Sequence, residues 1–213
     1  MLRNHPVGLL KLKKCEMKEQ KNPGSLEYPK KGTLNRVLFK GPLIWWRMGM
    51  GPILSHPMLA GHKMLVLTSW GRKSKLPRHT MLSYTEVADK IYVVSGWGER
   101  SDWYRNIMEN SGVTVQVGRN TYTAYARRVE DDKECEGVAQ SLFQTGGDSH
   151  FGSWLEALSI EYDLKDLMEK RDRVYFIGFD KNEMSGPPPL AIDLKWVWGV
   201  ISLVIVVLWL VIF

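Results

Sequence analysis

The stretch Val113-Thr114-Val115-Gln116-Val117-Gly118-Arg119-Asn120-Thr121 decides the fold. Apolar Val113, Val115 and Val117 alternate with polar Thr114 and Gln116, which puts successive side chains on opposite faces of a strand. Gly118-Arg119-Asn120 is turn chemistry, and Thr121 to Val129 returns with its own alternation, so the whole reads as a β-hairpin. Upstream, Lys63 to Ser69, Arg78 to Thr85 and Lys90 to Ser95 are rich in β-branched residues and Leu and are punctuated by Gly and Pro, which predicts three more strands. Ser101 can cap a short helix that runs through Asn110 and stops at Gly112. Downstream, Asp132 to Gln144 and Gly152 to Glu169 read as helices, and Arg173 to Phe179 as a last strand. Six strands joined mostly by short turns, with helices inserted late, predict a mainly β, α+β domain: an antiparallel barrel with helices on its outside.

The ends of the chain read differently. Residues 1–32 show no sustained period and are broken by Pro23-Gly24 and Pro29, so they form a basic, flexible extension rather than a domain. Residues 1–40 hold ten Lys and Arg against three Glu, a net +7 within a chain total of +6. The domain that follows is therefore nearly neutral. A nucleic-acid reader would carry its basic patch on the folded module, so no nucleic-acid partner is expected. A basic tail beside an anionic membrane leaflet accounts better for the asymmetry, and a merely solvated tail accounts for it equally well. Between Thr33 and Met50 an amphipathic aromatic element contains Trp45 and Trp46, and Pro42 is expected to end or kink it. Covering the domain's own core is its expected job, with an interfacial role as the alternative.

From Trp196 to Phe213 eighteen residues pass without a charge, which as a helix reach ~27 Å at ~1.5 Å per residue. Trp196, Trp198 and Trp209 stand near its two ends, as interfacial rings do. Residues 194–213 are thus expected to form one C-terminal transmembrane helix. Residues 182–193, with Gly186-Pro187-Pro188-Pro189, would be a stiff spacer, and residues 33–181 the folded domain. Val7 to Leu10 is too short for a secretory signal, and Lys181 and Lys195 precede the span, which places the domain on the cytoplasmic side. Two cysteines, Cys15 and Cys135, fit a reducing compartment. His56, His62, His79 and His150 show no ligand spacing, so no metal is expected.

Two stretches carry chemistry. In Gly71-Arg72-Lys73-Ser74-Lys75-Leu76-Pro77-Arg78 four cations fall within seven residues of a turn between two strands. Gly71 permits close backbone approach, Ser74 offers a hydroxyl, and Lys73 and Arg78 offer charge-assisted bonds suited to phosphate. Basic β-turns are, by default, simply solvated. In Ser95-Gly96-Trp97-Gly98-Glu99-Arg100-Ser101-Asp102-Trp103-Tyr104-Arg105-Asn106 a strand end meets a helix start, with Trp103 and Asn106 on one helix face at i, i+3. That pair would pack a planar ring and bond its edge, or it would anchor the helix to the barrel.

The order and separation of the Gly-Arg-Lys-Ser turn, the Ser…Trp-Tyr-x-Asn helix and the Val113–Gly118 strand resemble the deazaflavin-dependent nitroreductase family across roughly Leu34 to Phe179. The resemblance implies a split β-barrel of the FMN-binding type and the cofactor coenzyme F-420, a deazaflavin with a phosphate-linked, polyglutamate tail. It implies that Arg72, Lys73, Ser74 and Arg78 hold that tail, that Trp103 and Asn106 flank the ring, and that Ser95 lines its reactive face. The reaction implied is hydride transfer from reduced cofactor to an acceptor, the protein supplying orientation and desolvation. Tyr162 is the nearest candidate proton donor, ahead of Tyr104. Lys75 stands where the family usually has Gly, so a positive φ at that position would be strained, and Gly96 and Trp97 replace a basic residue of the relatives.

The function expected is a membrane-tethered reductase of an apolar acceptor such as a quinone or nitro compound, with Trp45 and Trp46 lining the acceptor's entry. Membrane lipid is then a partner, and a homo-oligomer is left open. Alternatives from other classes are an FMN-dependent split-barrel oxidoreductase and a carrier or sensor that holds a flavin-like cofactor without turnover.

Overall fold

The computed structural model describes residues 41–56, 63–145, 149–182 and 185–212. The expected extension at residues 1–32 and the first half of the Thr33–Met50 element lie outside the described residues. Six strands, β1 (Met64–Trp70), β2 (Pro77–Val87), β3 (Lys90–Val94), β4 (Gly112–Val117), β5 (Asn120–Arg128) and β6 (Phe176–Lys181), close into an antiparallel barrel in the order β1-β2-β3-β6-β5-β4. The hairpin read first is β4–β5, with Val117 facing Asn120 across Gly118-Arg119. Gly118 has φ +59°, the left-handed conformation such a two-residue turn favours.

Alternation fixes which side chains fill the barrel. Leu65 and Leu67 of β1, Ile91 and Val93 of β3, Val113 and Val115 of β4, Ala124 and Ala126 of β5, and Ile177 and Phe179 of β6 form one buried cluster. Helix α1 (Asp102–Glu109) closes one end of it with Trp103, Tyr104 and Ile107. A second core forms outside the barrel, where α2 (Asp132–Thr145), α3 (Ser149–Ala157) and α4 (Leu164–Glu169) cover Tyr92, Val174 and Phe176 with Val138, Leu155, Leu158 and Leu167.

Two expected elements are corrected. The helix Gly152–Glu169 is two helices: Ser159 takes φ +56° and Asp163 caps α4 by accepting from the Asp166 backbone N–H at 3.2 Å. The last strand starts at Phe176, not Arg173, because Arg171–Arg173 is a 3-10 turn that sends Val174 into the helical core. Of the Thr33–Met50 element, residues 41–45 are helical and the chain kinks at Gly49, φ +90°, before the short helix Gly51–Leu54, while the part before Gly41 that would show an end or a kink at Pro42 lies outside the described residues.

The Pro-rich segment is not a free spacer. Thr114 donates its hydroxyl to the Pro187 carbonyl at 2.5 Å, and Gln116 gives its Nε2–H to the Leu190 carbonyl at 3.1 Å while accepting the Leu190 N–H at 2.8 Å. A Cβ on Gly186 would stand 2.6 Å from Thr114 Oγ1. Residues 185–193 are therefore a strap that buries the outward polar side chains of β4. Helix α5 follows as Trp196–Ile212, 17 residues, rather than from Leu194. Its start is displaced because Leu194 donates its N–H to the Arg47 carbonyl at 3.1 Å and Asp193 takes a bidentate bond from the Arg47 guanidinium at 2.6 and 2.8 Å. At ~1.5 Å per residue the described part of α5 is about 26 Å long. Among the described residues no helix is long and apolar enough to cross a membrane.

Candidate functional site

β1 and β4 run antiparallel with Thr68 opposite Thr114 and Val66 opposite Gln116, which puts the Gly71–Leu76 turn and α1 at the same end of the barrel. The turn is closed by the Gly71 N–H on the Leu76 carbonyl at 2.9 Å and the Lys75 N–H on the Gly71 carbonyl at 2.7 Å. Lys75 has φ +54°, so the strain foreseen at this position is present. Arg78 donates Nη2–H to Ser74 Oγ at 3.0 Å directly over Gly71. A Cβ on Gly71 would lie 2.6 Å from Ser74 Oγ and 3.2 Å from the Arg78 side chain. Glycine is thus what lets the hydroxyl and the guanidinium fold inward, and the result is a cradle of donors.

The cations of the turn differ in freedom. Arg72 is tied to α1: its backbone N–H and Nη1 both reach Asn106 Oδ1, at 3.1 and 3.3 Å, and Nη2 pairs with Asp102 Oδ1 at 3.2 Å. Lys75 Nζ lies 4.0 Å from Glu109 with both side chains largely exposed, a pairing worth little in water. Lys73 is exposed and without an ion-pair partner among the described residues, and Arg78 has no carboxylate partner among them. A cavity of about 280 Å³ lies between the turn and the end of α1, lined by Trp70, Gly71, Arg72, Lys75, Glu109 and Asn110.

The structure thus brings Arg72, Lys73, Ser74 and Arg78 together and attaches Asn106 to them. It places the other expected residues differently. Trp103 is 9% exposed and packs in the barrel core, 6.3 Å from the Tyr104 ring centre. Ser95 is 2% exposed; its hydroxyl donates to the Gly98 carbonyl at 2.8 Å and lies 2.9 Å from Ser101 Oγ, so it braces its own loop. Tyr162 sits in the helical layer, its ring centre 4.9 Å from Phe143 and 6.0 Å from Phe151. Trp45 and Trp46 lie away from the turn altogether: Gly118, at the opposite end of β4, donates its N–H to Ser55 Oγ beside this helical segment, and Trp46 is 1% exposed against Gly51.

Two features were missed. Asp102 shares the face of Asn106 at i, i+4 and fixes Arg72, a spacing that could have been found. Trp154 donates Nε1–H to the Gly96 carbonyl at 3.2 Å and stacks on Phe151 at 5.7 Å, forming an aromatic wall beside the loop that follows Ser95. No short-range signal points to that contact. Tyr104, under the same loop, has its hydroxyl pushed above the usual phenol range by burial. Among the described residues no group of His, Cys, Asp and Glu could hold a metal ion.

Comparison with known proteins bears on the same region. The profile of the family described as F420H(2)-dependent quinone reductase matches residues 50–145, which include the basic turn, Ser95, Trp103 and Asn106 but not Tyr162. No curated protein matches. Among solved structures, "Structure of F420-H2 Dependent Reductase (FDR-A)" is similar at 20% identity over 55% of this chain and 93% of that one, with a TM-score of 0.33. A conserved hypothetical protein from Mycobacterium tuberculosis is similar at 14% identity over 60% and 86%, TM-score 0.37. A FAD-binding protein from Mesorhizobium loti is similar at 16% identity over 56% and 81%, TM-score 0.38. Residues 50–145 of the chain are thus similar to the family described as F420H(2)-dependent quinone reductase, a match that supports an oxidoreductase using coenzyme F-420.

Proposed function

We propose that this F-420-dependent oxidoreductase passes hydride from the reduced deazaflavin to an apolar, quinone-type acceptor, and that α5 holds it at a lipid surface while it does so. The observation that carries the proposal is the turn itself: Lys73 and Arg78 have no carboxylate partner among the described residues, and they stand around a cradle that a Cβ at position 71 would crowd. A multiply anionic tail needs that arrangement, so the residues present fit the group. Lys73, Arg78 and the Ser74 hydroxyl would hold the phosphate, and Arg72, fixed by Asn106 and Asp102, would form a charged wall to the side.

Reduced F-420, when bound, supplies the hydride. The chain's part is to orient and to exclude water. Ser95 braces the loop through Gly98 and Ser101, and Trp154 with Phe151 offers an aromatic face to an apolar acceptor. Trp103 acts from inside the barrel by holding α1, and with it Asn106, in register with the turn. Tyr162 keeps its place as the proposed proton donor, at the outer edge of the aromatic wall.

The lipid part rests on α5, in which every residue from Trp198 to Ile212 is exposed and none is charged. Water is a poor solvent for such a surface, and burial in lipid relieves it. Residues 1–32 would add attraction to anionic headgroups.

Titration of the detergent-solubilised chain with F-420 and with FMN tests the reading. Lys73→Ala and Arg78→Ala should each weaken F-420 binding by ~1.5–3 kcal/mol, the range for bonds to charged groups. FMN, with a shorter anionic tail, should respond less. Unchanged F-420 dissociation constants in both variants would return the turn to a solvated surface, and tighter binding of FMN than of F-420 would favour the FMN-dependent alternative. Loss of reduced F-420 absorbance on adding menadione separates an enzyme from a carrier.

A further inference from the structure

We propose that the end of the barrel opposite the basic turn is a second lipid-contact surface, on which Ile44, Trp45 and Ile53 sit in the headgroup region of an anionic bilayer. The inference rests on the reading that α5 enters lipid. The helical segment 41–54 packs at the Met64 and Gly118 end: Ser55 donates its hydroxyl to the Met64 carbonyl at 2.8 Å and accepts the Gly118 N–H at 2.8 Å. One side of the segment is spent on the barrel through buried Trp46, Met48 and Gly51. The remainder leaves Ile44, Trp45 and Ile53 exposed at 49%, 47% and 41%.

Two observations say what covers them. The first is continuity with α5. Trp198 donates Nε1–H to the Met48 carbonyl at 2.9 Å, Leu194 bonds the Arg47 carbonyl, and the Arg47–Asp193 pair clamps the same junction. The base of α5 is thus fixed to this segment, so lipid that receives α5 also meets Trp45, Trp196 and Trp198, rings suited to an interface. The second is charge. Arg119 is exposed in the β4–β5 turn at this end and has no ion-pair partner among the described residues. Residues 1–40, net +7, join the chain at Gly41, three residues before Ile44. Each Lys or Arg near an anionic leaflet contributes ~1 kcal/mol, which favours a lipid partner over a neutral protein surface.

The consequence is orientation. β1 rises ~3.3 Å per residue, so the turn after Trp70 stands a full strand length above the bilayer and opens toward water. The anionic tail would then be kept from anionic headgroups, while the acceptor leaves the lipid to reach the site.

Site-directed spin labelling of the full chain tests this. In a Cys15→Ser, Cys135→Ala background, Ile53→Cys, Leu76→Cys and Val206→Cys are labelled one at a time and reconstituted in phosphatidylcholine–phosphatidylglycerol vesicles. A denaturant melt of each protein confirms folding before depth is read. The expected result is a label at 206 that collides with oxygen and not with an aqueous nickel chelate, a label at 53 with its oxygen-to-nickel ratio raised toward that of 206, and a label at 76 that behaves as in water. A label at 53 as aqueous as that at 76, with 206 still deep, overturns the second surface and leaves the α5 reading standing. Aqueous labels at both 53 and 206 overturn both, and an aqueous 206 with a shallow 53 overturns the placement of α5 alone. Should the labelled Ile53→Cys protein fail to fold, Trp45→Phe replaces it: quenching of the chain's tryptophan emission by brominated lipid must fall, and unchanged quenching overturns the inference.

Discussion

Lys75 holds φ +54° in a turn where a side chain costs roughly 1 kcal/mol or more relative to glycine. Lys75→Gly should therefore raise the denaturation midpoint by about that free energy while weakening F-420 binding through loss of a cation beside the cavity it lines. A variant that is both more stable and binds F-420 less tightly marks a residue kept for its charge. If affinity is unchanged, the strain at Lys75 serves no anionic ligand. Asn106 calls for a related comparison, because its Oδ1 is engaged with Arg72 rather than turned toward a ring edge. Asn106→Ala should loosen Arg72 and weaken tail binding together with any slowing of hydride transfer, which binding and stopped-flow measurements resolve. The turn was legible in the sequence because four charges within seven residues stay together however the chain folds. The Arg72–Asn106–Asp102 link was not, since it depends on how α1 seats against β1. Nor was the hydrogen bonding of Ser95, whose three-residue loop to Gly98 reads as open chain until Ser101 closes it.

Helix α2 is attached to the barrel by a charged joint. Glu134 takes two bonds from Arg127, at 2.7 and 2.9 Å, and one from the Tyr92 hydroxyl at 2.7 Å, while Arg127 also pairs with Asp180 at 2.6 Å. The Arg127 guanidinium holds the Glu134 carboxyl below its ordinary value near 4.5, and burial together with Glu134 pushes the Tyr92 phenol up to about 12. Because the folded value of Glu134 is depressed, the stability it contributes is fully present above about pH 4.5 and is lost as pH falls through the folded value. Glu134→Gln should thus lower stability at neutral pH and flatten the acid limb, read as urea midpoints across that range; an acid limb of unchanged slope would show the joint to be idle. At this scale the strands were legible because one face of each is buried, and a period of two survives in the sequence. The break at Ser159 was not, since it carries neither Gly nor Pro and is held by the Asp163 cap. The strap was misread for the opposite reason: Pro187-Pro188-Pro189 specifies extended backbone by composition, but only the outward Thr114 and Gln116 of β4 decide that the extension lies down on the sheet.

The strap also decides where the folded domain ends. A boundary at residue 181 would strip the covering from Thr114, 3% exposed, and Gln116, 5% exposed, and would leave their polar atoms facing solvent without the Pro187 and Leu190 partners. It would also remove the Arg47–Asp193 clamp and the bond from Leu194 to Arg47, freeing the helical segment that caps the Gly118 end. A boundary at Lys195 keeps all of these and discards only α5, with the bond from Trp198 to the Met48 carbonyl. Two truncations therefore separate the strap from the apolar helix. The chain ending at Lys195 should fold, bind F-420 with the parent's affinity and need no detergent, since the basic turn and α1 stand at the far end of the barrel. The chain ending at Lys181 should lose stability by the amount that several buried hydrogen bonds contribute, ~0.5–1.5 kcal/mol each, and bind F-420 only to the extent that it remains folded. Urea melts and cofactor titrations of both make the comparison. Equal stability would show that the strap merely rests on β4, whereas a detergent requirement that persists without α5 would move the lipid contact to residues before Lys195, with Ile44, Trp45 and Ile53 first among them.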